Sequence, residues 1–262
     1  MSENLLELRN VSMVFGSGER QTVALDNYSL VIGGDGAAVV TLAGESGSGK
    51  TTLARLVLGF ARPTSGEVLY KGHNIWAMSR AEWQSYRREV QAIFQDPFAV
   101  YNPFYTVDRL LLSPLKSYGL AKNQAQALPQ IEDALLQVGL RAGDVLGRYP
   151  HQLSGGQRQR LTVARCLLLK PRLIVADEPV SMIDASLRAT ILDALRKLKD
   201  EHGISLVYIT HDLATAYQIS ERMEILYRGQ AVETGDATAI IQTPSHPYTR
   251  LLVNSKIGRA HV

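Results

Sequence analysis

Gly44-Glu45-Ser46-Gly47-Ser48-Gly49-Lys50-Thr51 follows the pattern G-x-x-x-x-G-K-[ST]. Residues of these types at this spacing can grip a polyphosphate. Successive backbone N–H groups from Gly47 to Lys50 can turn inward onto phosphate oxygens. A helix starting near Lys50 would aim its positive end at the same oxygens. Lys50 would neutralise charge on the β- and γ-phosphates, and Thr51 would ligate Mg²⁺. With the neighbouring Thr52, these positions form the candidate nucleotide-binding set. Leu153-Ser154-Gly155-Gly156-Gln157 is a second Gly-rich turn that runs straight into a helix. Ser154 can cap that helix, and Gly155 and Gly156 leave bare backbone that a phosphate can approach closely. A nucleotide has one triphosphate tail, so two such sites point to nucleotides shared with a second copy or a close relative.

Leu173-Ile174-Val175-Ala176-Asp177-Glu178 is an apolar run that ends in two carboxylates. Asp177 would hold Mg²⁺ through water, and Glu178 would orient or deprotonate an attacking water. Alone, the pair reads equally well as two exposed acids at a strand end. The phosphate loop upstream favours the catalytic reading.

Strands and helices must position these groups. Leu5 to Phe15 and Val23 to Ile32 alternate apolar and polar residues and read as antiparallel strands. Val39 to Ala43 is a continuous apolar strand feeding the phosphate loop, and Thr51 to Leu58 continues as a helix. Ser65 to Tyr70 and Val90 to Phe94 read as strands, and Ser79 to Glu89 as a polar helix. From Gln95 the chain is irregular and punctuated by Pro97, Pro103 and Pro114, with helices from about Asn123 to Val138. Residues from about Pro97 to Leu167 therefore read as a mostly helical insertion into an α/β core. Leu173 to Ala176 and Ser205 to Thr210 are buried-strand runs. The amphipathic helix Ala185 to Glu201 joins them as a βαβ crossover requires. Met223 to Tyr227 and Gln230 to Glu233 read as a closing hairpin.

Composition narrows the class. The chain has 262 residues, 45% hydrophobic, enough for one large domain or two closely packed subdomains. The net charge of +3 comes without a dense Lys/Arg tract, so the chain does not read as a nucleic-acid binder. The single cysteine, Cys166, lies in an apolar helical stretch and reads as a buried thiol. No signal peptide is expected from the first residues, and the longest apolar runs are strand-length, far from the ~20 residues that span a bilayer. On these features the chain reads as soluble and cytoplasmic; if it works at a membrane, another subunit must supply the spans.

The ordered set of Gly44 to Thr51 (the Walker A pattern), Leu153-Ser154-Gly155-Gly156-Gln157, Asp177-Glu178-Pro179 and Thr210-His211-Asp212 resembles the motif set of ABC ATPases, over essentially the whole chain. The resemblance implies an α/β fold: a P-loop NTPase core with an antiparallel β subdomain and an inserted helical subdomain. It implies one domain over 1–262, with the core in 1–96 and 168–255 and the insertion in 97–167. It also implies ATP and Mg²⁺ sandwiched in a head-to-tail dimer, where Ser154, Gly155, Gly156, Gln157 and the D-loop Asp184 face the partner's ATP. The D-loop reads Ser181-Met182-Ile183-Asp184, with Met182 bulkier than the family's usual residue. Gln95 resembles the Q-loop glutamine, which contacts Mg²⁺ or the attacking water, and His211 the switch histidine at the γ-phosphate. Phe15 is the candidate for stacking on adenine; an ordinary core phenylalanine is the other reading.

Three stretches resemble one branch of that family, the oligopeptide, dipeptide and nickel importers: Gln95-Asp96-Pro97-Phe98-Ala99-Val100-Tyr101-Asn102-Pro103, Arg148-Tyr149-Pro150-His151-Gln152 and His246-Pro247-Tyr248-Thr249-Arg250-Leu251-Leu252. The implied function is ATP hydrolysis that energises import of peptides or a related small solute. The implied partners are a second ATPase subunit (the same or a paralogous chain), transmembrane permease subunits and, indirectly, an extracytoplasmic solute-binding protein. The aromatic segment from Gln95 to Tyr105 would dock a cytoplasmic helix of the permease; alternatively, its rings pack the insertion onto the core. The competing function is an ABC ATPase acting on nucleic acid or ribosomes, which would carry a coiled-coil or zinc-bearing insertion or a second cassette. Relatives continue past the His-Pro-Tyr-Thr motif, so residues 256–262, unlike the rest in character, read as a non-native tail, with a short basic tail as the alternative.

Overall fold

The structure, a computed structural model, describes residues 4–33, 36–96, 100–181 and 183–256. Pro97, Phe98, Ala99, Met182 and residues 257–262 of the tail lie outside the described residues.

β1 (Asn4–Phe15) and β2 (Thr22–Gly33) pair antiparallel, as their alternation predicts. Leu6, Leu8 and Val11 of β1 and Leu25, Tyr28, Leu30 and Ile32 of β2 are buried, which gives the pair one core face. β3 (Val39–Ala43) runs into the phosphate loop and then α1 (Lys50–Val57). β4 (Ser65–Tyr70) and the short β5 (His73–Asn74) complete a sheet of order β2-β1-β4-β5. α2 (Arg80–Glu89) opens with a reciprocal cap between Ser79 and Glu82, and leads into β6 (Val90–Ile93).

The inserted region holds α3 (Asp108–Ser117), α4 (Gln124–Gln137), α5 (Ala142–Val145) and α6 (Gly155–Leu167). Reading Pro114 as a breaker misses α3, which contains it. Leu111, Pro114 and Leu115 lie on one buried stripe at helical spacing, and that packing outweighs the bond that proline forfeits. Cys166 is buried, with its thiol pushed up to about 11 by burial.

β7 (Leu173–Asp177), α7 (Ala185–Asp200) and β8 (Ser205–Thr210) form the expected crossover, and α8 (Leu213–Ile219) follows. β9 (Arg222–Tyr227) and β10 (Gln230–Asp236) close as an antiparallel hairpin, followed by α9 (Ala237–Gln242) and α10 (Pro247–Lys256).

Among the described residues the second sheet has the order β10-β9-β3-β8-β7-β6, parallel except for β10. Its central strands β3, β8 and β7 are covered on both faces, so their residues sort by parity. Ile174, Ala176, Leu206 and Tyr208 join the core shared with the inserted helices, while Leu173, Val175, Val207 and Ile209 join the core beneath the antiparallel sheet. This explains why these strands are uninterrupted apolar runs in the sequence.

Leu206 is fully buried, and Leu136 on α4 is 66% exposed. Leu206→Ala is expected to lower unfolding free energy by about 2–5 kcal/mol in chemical denaturation. Leu136→Ala is expected to change it by no more than about 0.5 kcal/mol. Equal losses would contradict this assignment of the core.

Candidate active site

Register brings the motifs to one edge. Ala43 pairs with Thr210, Ile209 with Asp177, and Ala176 with Ile93. The phosphate loop, His211, Glu178 and the segment carrying Gln95 therefore leave the sheet from neighbouring C-terminal strand ends. Open α/β sheets bind ligands in this crevice.

The loop is gripped from outside by backbone. A Cβ added at Gly44 would lie 2.3 Å from the Leu226 carbonyl oxygen, and one at Gly49, where φ is +109°, 2.5 Å from that of Ala24. Ser48 also accepts a hydrogen bond from the Gly229 N–H at 3.0 Å. At Gly47 an added Cβ would meet nothing within 4 Å. Ser46 is exposed, and Thr51 and Thr52 lie in the first turn of α1, whose N–H groups have no partner within the helix. Lys50 is buried, and its Nζ donates to the carbonyls of Gly44 and Glu45, both at 2.7 Å, and to Ser48 Oγ at 3.3 Å. Burial pulls the Lys50 pKa down, against the opposing pull of Glu178, Asp177 and Glu45.

Glu178 and His211, 33 residues apart, meet: Glu178 Oε1 lies 2.7 Å from His211 Nδ1. An ionised carboxylate can only accept, so Nδ1 carries the proton in this pairing and Nε2 is left to face elsewhere. The sequence assigns these residues separate roles and gives no sign of the bond. Glu178 adopts a left-handed backbone, φ +48°, a conformation that typically costs a non-glycine residue on the order of 1–3 kcal/mol. It is fixed there by Glu178 N–H donating to Ile209 O (2.9 Å) and by its carbonyl accepting from the N–H (3.2 Å) and Oγ (3.0 Å) of Ser181. Asp177 is half-buried. Burial, then the like charge of Glu178, raise its pKa against the pull of Lys50 and Arg55.

Ser154 caps α6 as expected: its Oγ accepts from Gln157 N–H at 3.2 Å, and Gln157 Oε1 accepts from Ser154 N–H at 2.9 Å. Gly155 meets open space, but a Cβ at Gly156 would lie 2.6 Å from Leu187 Cδ1. Gly156 thus has a packing reason to be glycine, the close approach of α6 to α7. Asp184 is exposed at the start of α7 and makes no side-chain cap, and Gln95 is exposed beyond β6. Phe15 ends β1 with 42% of its surface exposed, so it is not an enclosed core ring. Tyr101, for which the sequence leaves both docking a partner and packing the insertion open, donates to the Arg158 carbonyl at 2.7 Å and packs against the core. Phe104 is 83% exposed.

The raised Asp177 pKa has a definite sign. Its charged form is disfavoured by folding, so the penalty is full above the folded pKa and vanishes below the unfolded one. In nucleotide-free protein with chelator, Asp177→Asn is expected to raise the thermal midpoint at pH 7, with the gain shrinking as pH falls through the carboxylate range. A lower midpoint at pH 7 would contradict the electrostatic account.

Known proteins resemble this chain in sequence and in fold. The family described as ABC transporter matches residues 16–181. The chain is 38% identical over 256 residues to the oligopeptide transport ATP-binding protein OppF of Streptococcus pyogenes serotype M1, covering 97% of this chain and 82% of that one. It is 37% identical over 256 residues to the oligopeptide transport ATP-binding protein AmiF of Streptococcus pneumoniae serotype 4, with the same coverage. The dimeric post-hydrolysis structure of the ATP-binding cassette MJ0796 bound to ADP and Pi superposes with a TM-score of 0.77 at 29% identity, covering 88% of this chain and 98% of that one. The chain belongs to the ABC transporter family, with the fold of an ATP-binding cassette.

Proposed function

We propose that this chain is the ATP-binding and ATP-hydrolysing subunit that energises an importer of peptides or a related small solute. The convergence of Lys50, Asp177, Glu178 and His211 at one sheet edge carries the catalytic part of this reading. The transported class rests on the relatives, which are named oligopeptide transport proteins.

The loop from Gly44 to Thr52 receives the phosphates of ATP, with Lys50 as counter-charge, and Phe15 stacks on the adenine. The Thr51 hydroxyl, the Gln95 amide oxygen and the Asp177 carboxylate are hard oxygen donors, a set that fits Mg²⁺ and not a soft metal. Bound there, Mg²⁺ would neutralise charge building on the β- and γ-phosphate oxygens. His211 engages Glu178 Oε1, which leaves Oε2 to take the proton of a water as its oxygen attacks the γ-phosphorus. The bond from that phosphorus to the bridging oxygen breaks, giving ADP and phosphate.

Ser154, Gly155, Gly156 and Gln157 at the start of α6, with Asp184, serve the ATP of a second cassette, the same chain or a paralogue. A cleft of about 980 Å³ lined by Phe60, Trp83, Arg87, Phe94, Tyr105 and Arg109 suits a cytoplasmic helix of a permease subunit. Phe60 offers an exposed ring there, and Tyr101, held to the Arg158 carbonyl, also lines the cleft. No helix among the described residues is long and apolar enough to cross a membrane; the spans in this reading belong to permease subunits, and the chain sits peripherally on their cytoplasmic face. An extracytoplasmic binding protein delivers the solute to those subunits.

Glu178→Gln is expected to keep ATP affinity and lose turnover by ~10²-fold or more. Held with ATP, that variant should sediment as a dimer, alone or with its paralogous partner. Adding Ser154→Arg should return it to monomer, because bulk then stands where the partner's phosphate approaches. Undiminished hydrolysis in Glu178→Gln, or a double variant that still dimerises, would refute the respective assignment.

A further inference from the structure

The His246-Pro247-Tyr248-Thr249 stretch has no part in the chemistry above, yet it reaches the phosphate loop. Glu233 on β10 accepts from the N–H groups of Ser245 (2.7 Å) and His246 (3.1 Å), which fixes where α10 begins. Pro247 takes the first position of α10, where its missing N–H leaves no helical bond unmade. His246 Nδ1 accepts from the Tyr248 N–H at 3.2 Å. The Tyr248 ring lies against that of Tyr227, with centroids 4.3 Å apart and planes 36° apart. Its hydroxyl accepts from the Glu45 N–H at 3.1 Å.

Glu45 is the second residue of the loop, and each side of it is now held. Its N–H goes to Tyr248, while its carbonyl accepts from Lys50 Nζ at 2.7 Å and from the Ser48 N–H at 3.2 Å. The residue before Tyr227 is Leu226, whose carbonyl presses on Gly44. β9 and α10 thus brace the same Gly44–Glu45 turn from outside the loop.

We propose that Tyr248 is a positioning residue for the nucleotide site: the hydroxyl delivered by the His246–Tyr248 turn and the Tyr227 ring holds the Glu45 N–H and keeps the phosphate loop in its triphosphate-receiving shape. The proposal rests on reading residues 44–52 as the ATP site. Without the hydroxyl, the Glu45 N–H loses its partner and the loop samples shapes in which its N–H groups do not converge. Apparent affinity falls with the competent fraction. One neutral hydrogen bond corresponds to roughly a 2- to 10-fold change. Tyr248 meets no reacting atom, so the effect falls on binding and not on the chemical step.

Three variants of the full chain test this: Tyr248→Phe, which keeps the ring; Tyr248→Ala; and Tyr217→Phe, which removes a hydroxyl on α8 that bonds Gln242. ADP and ATP affinities are measured with Mg²⁺, together with KM, kcat and the nucleotide-free thermal midpoint. Tyr248→Phe is expected to weaken both nucleotides roughly 2- to 10-fold and raise KM alike, with kcat and the midpoint as in the parent. Tyr248→Ala should weaken binding at least as much, and Tyr217→Phe should change nothing. Parental affinity in Tyr248→Phe would overturn the proposal. So would a fall in kcat and midpoint matching the loss of affinity, which marks a merely structural role. A parent chain that binds no ADP would sink the nucleotide reading itself, and the proposal with it.

Discussion

Parallel pairing of β3 with β8, and of β8 with β7, governs the whole arrangement. Parallel neighbours run the same way, so their chains leave the sheet at the same edge, and register decides which residues leave together. Ala43 opposite Thr210 and Asp177 opposite Ile209 put the phosphate loop, the acids and His211 side by side. A slip of one residue on β7 would exchange Asp177 with Glu178 and turn every side chain of the strand to the other face. The apolar runs prevent it: each parity class is already committed to one of two cores, so a slip would misplace all of β7 at once.

That rigid edge lets the site keep a strained residue. Glu178 stands at positive φ, against the preference of any residue with a Cβ. Bonds to Ile209 and Ser181 hold it, and the result is a carboxylate aimed at His211. The phosphate loop is held by different means. β2, β9, the hairpin turn at Gly229 and α10 press or bond its outer side, while Gly47 faces open space.

Much of this was legible in the sequence, for physical reasons that also set the limits. β3, β7 and β8 are continuous apolar runs because both faces are covered, and the phosphate loop and the two acids follow such runs directly. α3 escapes a local pattern because Pro114 signals a stop, whereas burial beside Leu111 and Leu115 keeps the helix intact. α8, α9 and α10 are short, and their caps, such as Asp212 accepting from Ala214 N–H, give weaker signals than a long amphipathic repeat. The packing of Gly156 on Leu187 and the bond of Tyr101 to the Arg158 carbonyl depend on contacts between elements distant in the chain, which no local pattern encodes. The Glu178–His211 bond is the clearest case. Each residue is found by its motif, but only the register of β7 on β8 brings them into contact.

We propose that this register makes Glu178 and His211 one catalytic unit. A double-mutant cycle on kcat for ATP hydrolysis tests it directly, using Glu178→Gln, His211→Ala and the pair. Residues that act as a unit are strongly non-additive, so the double variant should be about as slow as the slower single variant. Losses that multiply, with the double variant slowed by the product of the two single effects, would contradict the account.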